Sequence, residues 1–143
     1  MHFGPEHEQF RTGVCAFVAR EIAPHIDAWD EAEGFPRELY RQAAALGLLG
    51  IGYPEELGGT PADWGFRLIA TEEIARAGSG GLMASLFSHN IGLPPLLAAG
   101  SAALQQRVVP PVLAGEKIAA MMIGGGAEEI MKELAARQLG IVP

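Results

Sequence analysis

The sequence predicts an all-α fold, a helical bundle in one domain, and three observations carry that expectation. Apolar residues recur at helical spacing, as in Phe10, Val14, Phe17, Val18 and Ile22. Glycine and proline punctuate these stretches rather than a run of alternating strands. No internal repeat and no strand–helix–strand alternation is present. The 143 residues are 49% hydrophobic and 19% charged, which suits one globular domain large enough for a real core.

Each element has a local justification. The first helix is expected over 5–23, where Pro24, lacking an N–H, ends or kinks it and opens a short helix through Asp30. Pro36 suits a helix start, with Glu38 in its first turn; Leu39, Ala43 and Leu46 form the buried stripe and Gly47 ends it. The glycine-rich stretch 47–59 reads as an ordered loop. Thr60, Pro61 and Asp63 read as the capped start of the next helix, with Phe66, Ile69, Ala70, Ile74 and Ala77 facing inward. Residues 78–81 break it.

From Leu82 to Ala99 the chain is almost uncharged, which marks a central segment, and Gly92, Pro94 and Pro95 imply a bend or break. Ser101 caps a helix through Val109, which Pro110 and Pro111 turn toward a short piece ending at Gly115. Residues 118–123 suit a strand that lacks a partner. Ile130, Met131 and Leu134 place one further amphipathic helix over 127–139.

Composition excludes several classes of function. Ten basic against seventeen acidic residues give a net charge of −7, which argues against nucleic acid as a partner. No apolar run approaches the ~20 residues of a membrane span, and the N-terminus lacks a signal-peptide pattern, so a cytoplasmic location is expected. The one cysteine, Cys15, lies on the edge of an apolar stripe and reads as a buried structural thiol. His2, His7, His25 and His89 show no metal-ligand spacing, and no metal site is expected. His25 and His89 read as structural. Adjacent Glu72 and Glu73 point about 100° apart on a helix, so they read as a solvated edge rather than an acid–base pair. Gly124-Gly-Gly126 is followed by no Lys-Ser or Lys-Thr and is not a phosphate loop.

Several segments, in order, resemble one family. Arg20-Glu-Ile-Ala-Pro-His25 with Trp29 and Asp30 comes first. Phe35-Pro-Arg-Glu-Leu-Tyr40 and Leu46-Gly-Leu-Leu-Gly-Ile-Gly-Tyr-Pro-Glu-Glu-Leu-Gly-Gly59 follow. Glu72-Glu-Ile-Ala-Arg76, Ser88-His-Asn-Ile-Gly92 and Pro110-Pro-Val-Leu-Ala-Gly-Glu-Lys117 complete the series. Together they resemble the N-terminal helical domain of the acyl-CoA dehydrogenases. The stretch after a seam at Ile123 and Gly124 resembles the same family's C-terminal helix. The resemblance therefore divides the chain into an N-terminal-like helical domain, 1–123, and a C-terminal helix remnant, 124–143.

The resemblance implies a fold and a chemistry. Family members oxidise an acyl-CoA thioester between its α and β carbons: a glutamate takes the α proton and flavin adenine dinucleotide (FAD) takes the β hydride. The flavin rests largely on a β domain whose opening motif, Thr-Glu-Pro then Gly-Ser-Asp, is expected after Ile123 and is absent. Aligned on Glu129 and Ile130, the position of the catalytic glutamate is Gly125, so no catalytic residue is assigned. Ala127 and Glu129 align with positions that touch the flavin's diphosphate or adenine, with alanine replacing threonine. In the family the helices of 61–99 wall the acyl-chain pocket, although the run 82–97 equally suits a plain core.

The expectation is thus an internally deleted acyl-CoA dehydrogenase-like protein of fatty acid metabolism, without activity of its own. The alternative is an interaction module that pairs with itself or with a full-length relative. A flavoenzyme completed by oligomer assembly is the third possibility. A homodimer is expected, because loss of the neighbouring domains would bare apolar surface around Leu82, Leu86, Leu93 and Leu97.

Overall fold

The computed structural model describes residues 3–118, and those residues form a helical bundle. Helix α1 spans Pro5–Phe17, with Pro5 at the first position, where its missing N–H costs no bond. It runs on through a π-helical turn, Val18–Ile22, and a 3₁₀ turn, Ala23–His25, before α2, Ile26–Glu31. The expected disruption at Pro24 is therefore a change of helical pitch rather than a clean end. Helix α3 spans Glu38–Ala45, with Leu39 and Ala43 buried as expected. Leu46 is 36% exposed, because it is the residue after the last helical turn and no longer follows the stripe.

Helix α4 spans Trp64–Ala75, starting later than the cap expected at Thr60 and ending before Ala77. Its cap is Asp63, whose carboxylate accepts from Gly65 N–H, not Thr60. Thr60 is held elsewhere: its N–H donates to Gly50 and its carbonyl accepts from Gly52, with Ile51 and Thr60 forming an isolated bridge. Gly59 lies so close against Tyr53 that a Cβ there would overlap the Tyr53 backbone.

The apolar run divides into α5, Gly80–Leu86, and α6, His89–Ala99. The break falls at Phe87 and Ser88, and Pro94 and Pro95 sit inside α6. Helix α7, Ala102–Leu113, likewise passes through Pro110 and Pro111. These prolines leave the carbonyls four residues earlier without donors. Those carbonyls belong to Asn90, which is half-buried, and to Ile91, Gln106 and Arg107, which are exposed residues open to solvent. Ser101 caps α7 as expected, and the Gln105 amide donates to the carbonyls of Leu97 and Gly100 at the end of α6.

The core has two parts. Val14, Phe17, Ile22, Leu39, Leu48, Leu49, Ile74, Leu82 and Leu86 belong to one, joining α1, α3, α4 and α5. Tyr53, Leu57, Leu93, Leu96, Val109, Val112 and Leu113 form the other, beneath α6 and α7. Leu82, Leu86 and Leu93 are 4%, 0% and 2% exposed and Leu97 is half-buried, so the surface expected around them is largely core. Among the described residues, the large apolar side chains that do face outward are Trp64, Leu68 and Ile91, with Leu46. By length and composition Gly80–Ala99 suffices to cross a membrane, but its two helices of 7 and 11 residues are each too short.

Candidate functional site

The positions expected to touch flavin, Ala127 and Glu129, lie outside the described residues, as do the seam at 123–124 and the helix over 127–139. Among the features the described residues offer are three polar centres set into the bundle, a groove and a smaller cleft.

The first centre joins α1 to α4. Glu73 is 1% exposed, and its carboxylate accepts from the Arg11 guanidinium and from the Cys15 thiol at 3.0 Å. Arg11 also binds Glu72 at 3.0 Å, and Arg76 lies 3.5 Å from Glu73. Burial alone would raise the Glu73 carboxyl pKa. The hydrogen bonds from Cys15 and Arg11 and the charge of Arg76 outweigh it, so the pKa is lowered and Glu73 is held ionised. Two expectations fail here. Glu73 is not on a solvated edge, and Cys15 is exposed rather than buried, its thiol turned to Glu73. That hydrogen bond, with some desolvation, pushes the Cys15 pKa up, which disfavours the reactive thiolate.

The second centre is His7, 5% exposed at the start of α1. Its Nδ1 accepts from Gly4 N–H at 3.0 Å, which fixes the tautomer, so Nε2 donates to Asp63, also at 3.0 Å. This bond and that from Gly65 hold the Asp63 carboxyl pKa down. His7 thus ties the cap of α4 to the N-terminus. Its one legible signal is its place three residues after Gly4, where a side chain reaches back to the capping position.

The third centre lies between the two cores. Tyr53 donates to the His89 carbonyl at 3.3 Å and to Asn90 Oδ1 at 3.1 Å, and burial pushes its hydroxyl pKa up to about 12. The Arg67 guanidinium lies over the Tyr53 and Trp64 rings and donates to the Ile51 carbonyl at 2.7 Å. His89 is 3% exposed, and its Nε2 has no hydrogen-bond partner among the described residues. Burial pushes its pKa down to about 4, although the carbonyls of Leu86 and Leu49 favour the protonated form. His25 is exposed and stacks on Trp29.

The groove, about 270 Å³, runs between the α2–α3 connection and α5, with Trp29, Phe35, Leu82 and Ser85 in its walls. Asp30 and Glu33 also line it. A smaller cleft, about 140 Å³, lies beside Trp64 and Arg67. Neither suits a flavin dinucleotide. Both fall below the ~300–1,000 Å³ of ordinary ligand sites, and two carboxylates in the larger would repel a diphosphate. Among the described residues no group of three or more metal-ligating side chains gathers.

These centres are chemically conservative. The buried carboxylate is paired and the exposed thiol is held protonated. Leu82, Leu86, Leu93 and Leu96 fill a core rather than wall an open channel. The arrangement can hold helices in register and present a surface.

Comparison with known proteins places this geometry. The family model for the acyl-CoA dehydrogenase N-terminal domain matches residues 4–116. A probable acyl-CoA dehydrogenase of Bacillus subtilis, YngJ, is 36% identical over 97 residues, covering 67% of this chain and 25% of the relative. Mitochondrial isovaleryl-CoA dehydrogenase of Arabidopsis thaliana is 37% identical over 98 residues, covering 66% and 24%. The crystal structure of a probable acyl-CoA dehydrogenase from Mycobacterium abscessus superposes with a TM-score of 0.76 at 45% identity, over 80% of this chain and 31% of that one. The matched part is thus about a quarter of the curated relatives' length.

Proposed function

The chain belongs to the acyl-CoA dehydrogenase family through its N-terminal helical domain, and on that premise we propose that it is an internally deleted member that carries out no acyl-CoA oxidation by itself. The family reaction, FAD-dependent α,β-oxidation of acyl-CoA thioesters, needs a carboxylate free to take a proton. The observation that supports the reading is the state of Glu73. It is the buried carboxylate among the described residues, and it is bound by Arg11 and Cys15 with its pKa held down. A general base must reach its proton unencumbered and near the working pH.

Residues 124–143 enter this reading as the remnant of the family's C-terminal helix, with Ala127 and Glu129 as remnant flavin contacts. Alanine at 127 offers no hydroxyl to a diphosphate, so FAD is not retained by this chain alone. Catalysis is tested by following reduction of an electron-accepting dye with short, medium and long acyl-CoA substrates and added FAD. No turnover is expected. Turnover that survives repurification and disappears when one glutamate is replaced would overturn the reading.

A specific observation favours a second reading, an interaction module pairing with itself or a full-length relative. Trp64, 73% exposed, and Leu68, 43% exposed, stand one helical turn apart on α4, and Ile91 is 76% exposed at the start of α6. Two large apolar side chains on one exposed helix face make a candidate contact site. A structural neighbour at TM-score 0.63 and 25% identity was solved as the ChsE4-ChsE5 complex of Mycobacterium tuberculosis. A homodimer in the cytoplasm is the form this reading takes. Light scattering after size exclusion tests it: a dimer is expected, and a monomer at all concentrations would contradict it.

A further inference from the structure

We propose that the cleft beside Trp64 and Arg67 binds a small carboxylate with a flat apolar body, the carboxylate held by the Arg67 guanidinium and the body laid on the Trp64 indole. The inference is independent of the functional readings above.

A cation without a counter-charge points to the ligand. The chain is acidic, with a net charge of −7. Arg11, Arg20, Arg41 and Arg76 each meet a glutamate. Arg67 is half-buried, and among the described residues it meets no carboxylate. Its one side-chain hydrogen bond there goes to the Ile51 carbonyl at 2.7 Å, so most of the guanidinium donors are unused. Taking a charge from water without pairing it is unfavourable.

The guanidinium is also fixed in place. Its Cζ lies 5.1 Å from the Trp64 ring centroid and 5.7 Å from that of Tyr53. The Ile51 carbonyl anchors one edge. Gly52, at φ +75°, passes close by, and a Cβ there would stand 3.0 Å from Nη2. A donor fork held rigid before its ligand arrives has less freedom to lose on binding.

The cleft supplies the room. It measures about 140 Å³ and is lined by Gly52, Ala62, Asp63, Trp64 and Arg67. A cavity of about 150 Å³ accommodates benzene, so one ring bearing one carboxylate is the fitting size. Trp64 is largely exposed, which leaves indole surface for an offset stack.

Charge and shape decide which anion. Asp63 lines the same cleft, and although its Oδ1 accepts from His7 and Gly65, its negative charge opposes a second charge on the ligand. A planar monocarboxylate offers two oxygens to the guanidinium fork for a single charge, whereas phosphate carries more charge and no flat body.

The full chain carrying Trp29→Phe, with Trp64 as its sole tryptophan, tests the proposal in a buffer without carboxylates. Benzoate is expected to change Trp64 fluorescence saturably, with half-saturation at about 1 mM or below. Benzamide, which has the shape without the charge, and inorganic phosphate, which has charge without the ring, should each bind roughly tenfold more weakly. Arg67→Met should abolish the benzoate response, and Arg67→Lys, which keeps the charge and loses the fork, should weaken it roughly fivefold with helicity kept. The benzamide and phosphate comparisons need no change at Arg67, so they hold even if its replacement disturbs the fold. No saturable response to benzoate, equal affinity for benzamide or phosphate, or unchanged benzoate binding in Arg67→Met would each overturn the proposal.

Discussion

Arg11 of α1 and Glu73 of α4, sixty-two positions apart in sequence, are hydrogen-bonded at 2.5 Å. That contact ties α1 to α4 and, with the Cys15 hydrogen bond and the charge of Arg76, keeps the buried carboxylate ionised.

Because Glu73 is buried and Arg11 is its principal cation, breaking the pair should cost more than removing it. Arg11→Met is expected to lower the melting temperature by several degrees, since it leaves a buried charge under-compensated. The double variant Arg11→Met with Glu73→Met should recover most of the loss. Thermal unfolding followed by circular dichroism checks both, and a double variant no better than Arg11→Met would refute the argument.

Acid should destabilise the fold in two windows. His89 has a folded pKa of about 4 against an ordinary 6.5, so between these values the unfolded chain binds the extra proton. Stability is then fully present above 6.5 and falls as pH drops toward 4. Glu73, lowered from 4.5, contributes stability that is present above 4.5 and lost as pH falls through its lower folded value. His89→Gln should flatten the melting-temperature profile in the first window only, and Glu73→Gln in the second only.

Cys15 is exposed yet its thiol is held protonated by Glu73. At pH 7 it should react with a disulfide reagent more slowly than a free cysteine-containing peptide. Glu73→Gln should accelerate it several-fold. Equal rates in the parent and variant would mean the hydrogen bond does not control the thiol.

Two surface and loop changes separate packing from presentation. Gly59→Ala should destabilise by about 1–3 kcal/mol, the usual range for overpacking, because its methyl meets the Tyr53 backbone, which cannot rotate away. Trp64→Ala should stay within about 0.5 kcal/mol of the parent, since Trp64 is largely exposed, yet weaken self-association. Urea unfolding measures the first effect and light scattering the second.

Helix existence was legible in the sequence because it rests on local periodicity, as with Val14, Phe17 and Ile22, or on local capping chemistry, as with Ser101. Helix boundaries went astray where a distant partner decided. Thr60 has the chemistry of a cap, but its backbone is engaged by Gly50 and Gly52, so Asp63 takes that role. Pro94, Pro95 and Pro110 read as breaks, yet the carbonyls they orphan lie mostly on exposed residues, and the helices pass through. The polar centres were least legible. Cys15 meets Glu73, and His7 meets Asp63, across fifty-eight and fifty-six positions, which no spacing rule encodes. The family was legible because its motifs recur in order along α1 to α7, although the residues proposed for flavin lie beyond them.

The most direct test of the central claim, a family helical domain without flavin chemistry of its own, is titration of the full chain with FAD by calorimetry, paired with a thermal melt. The account expects no saturable heat and an unchanged melting temperature. Saturable micromolar binding with a raised melting temperature would contradict it, because a ligand that binds the native state must stabilise it.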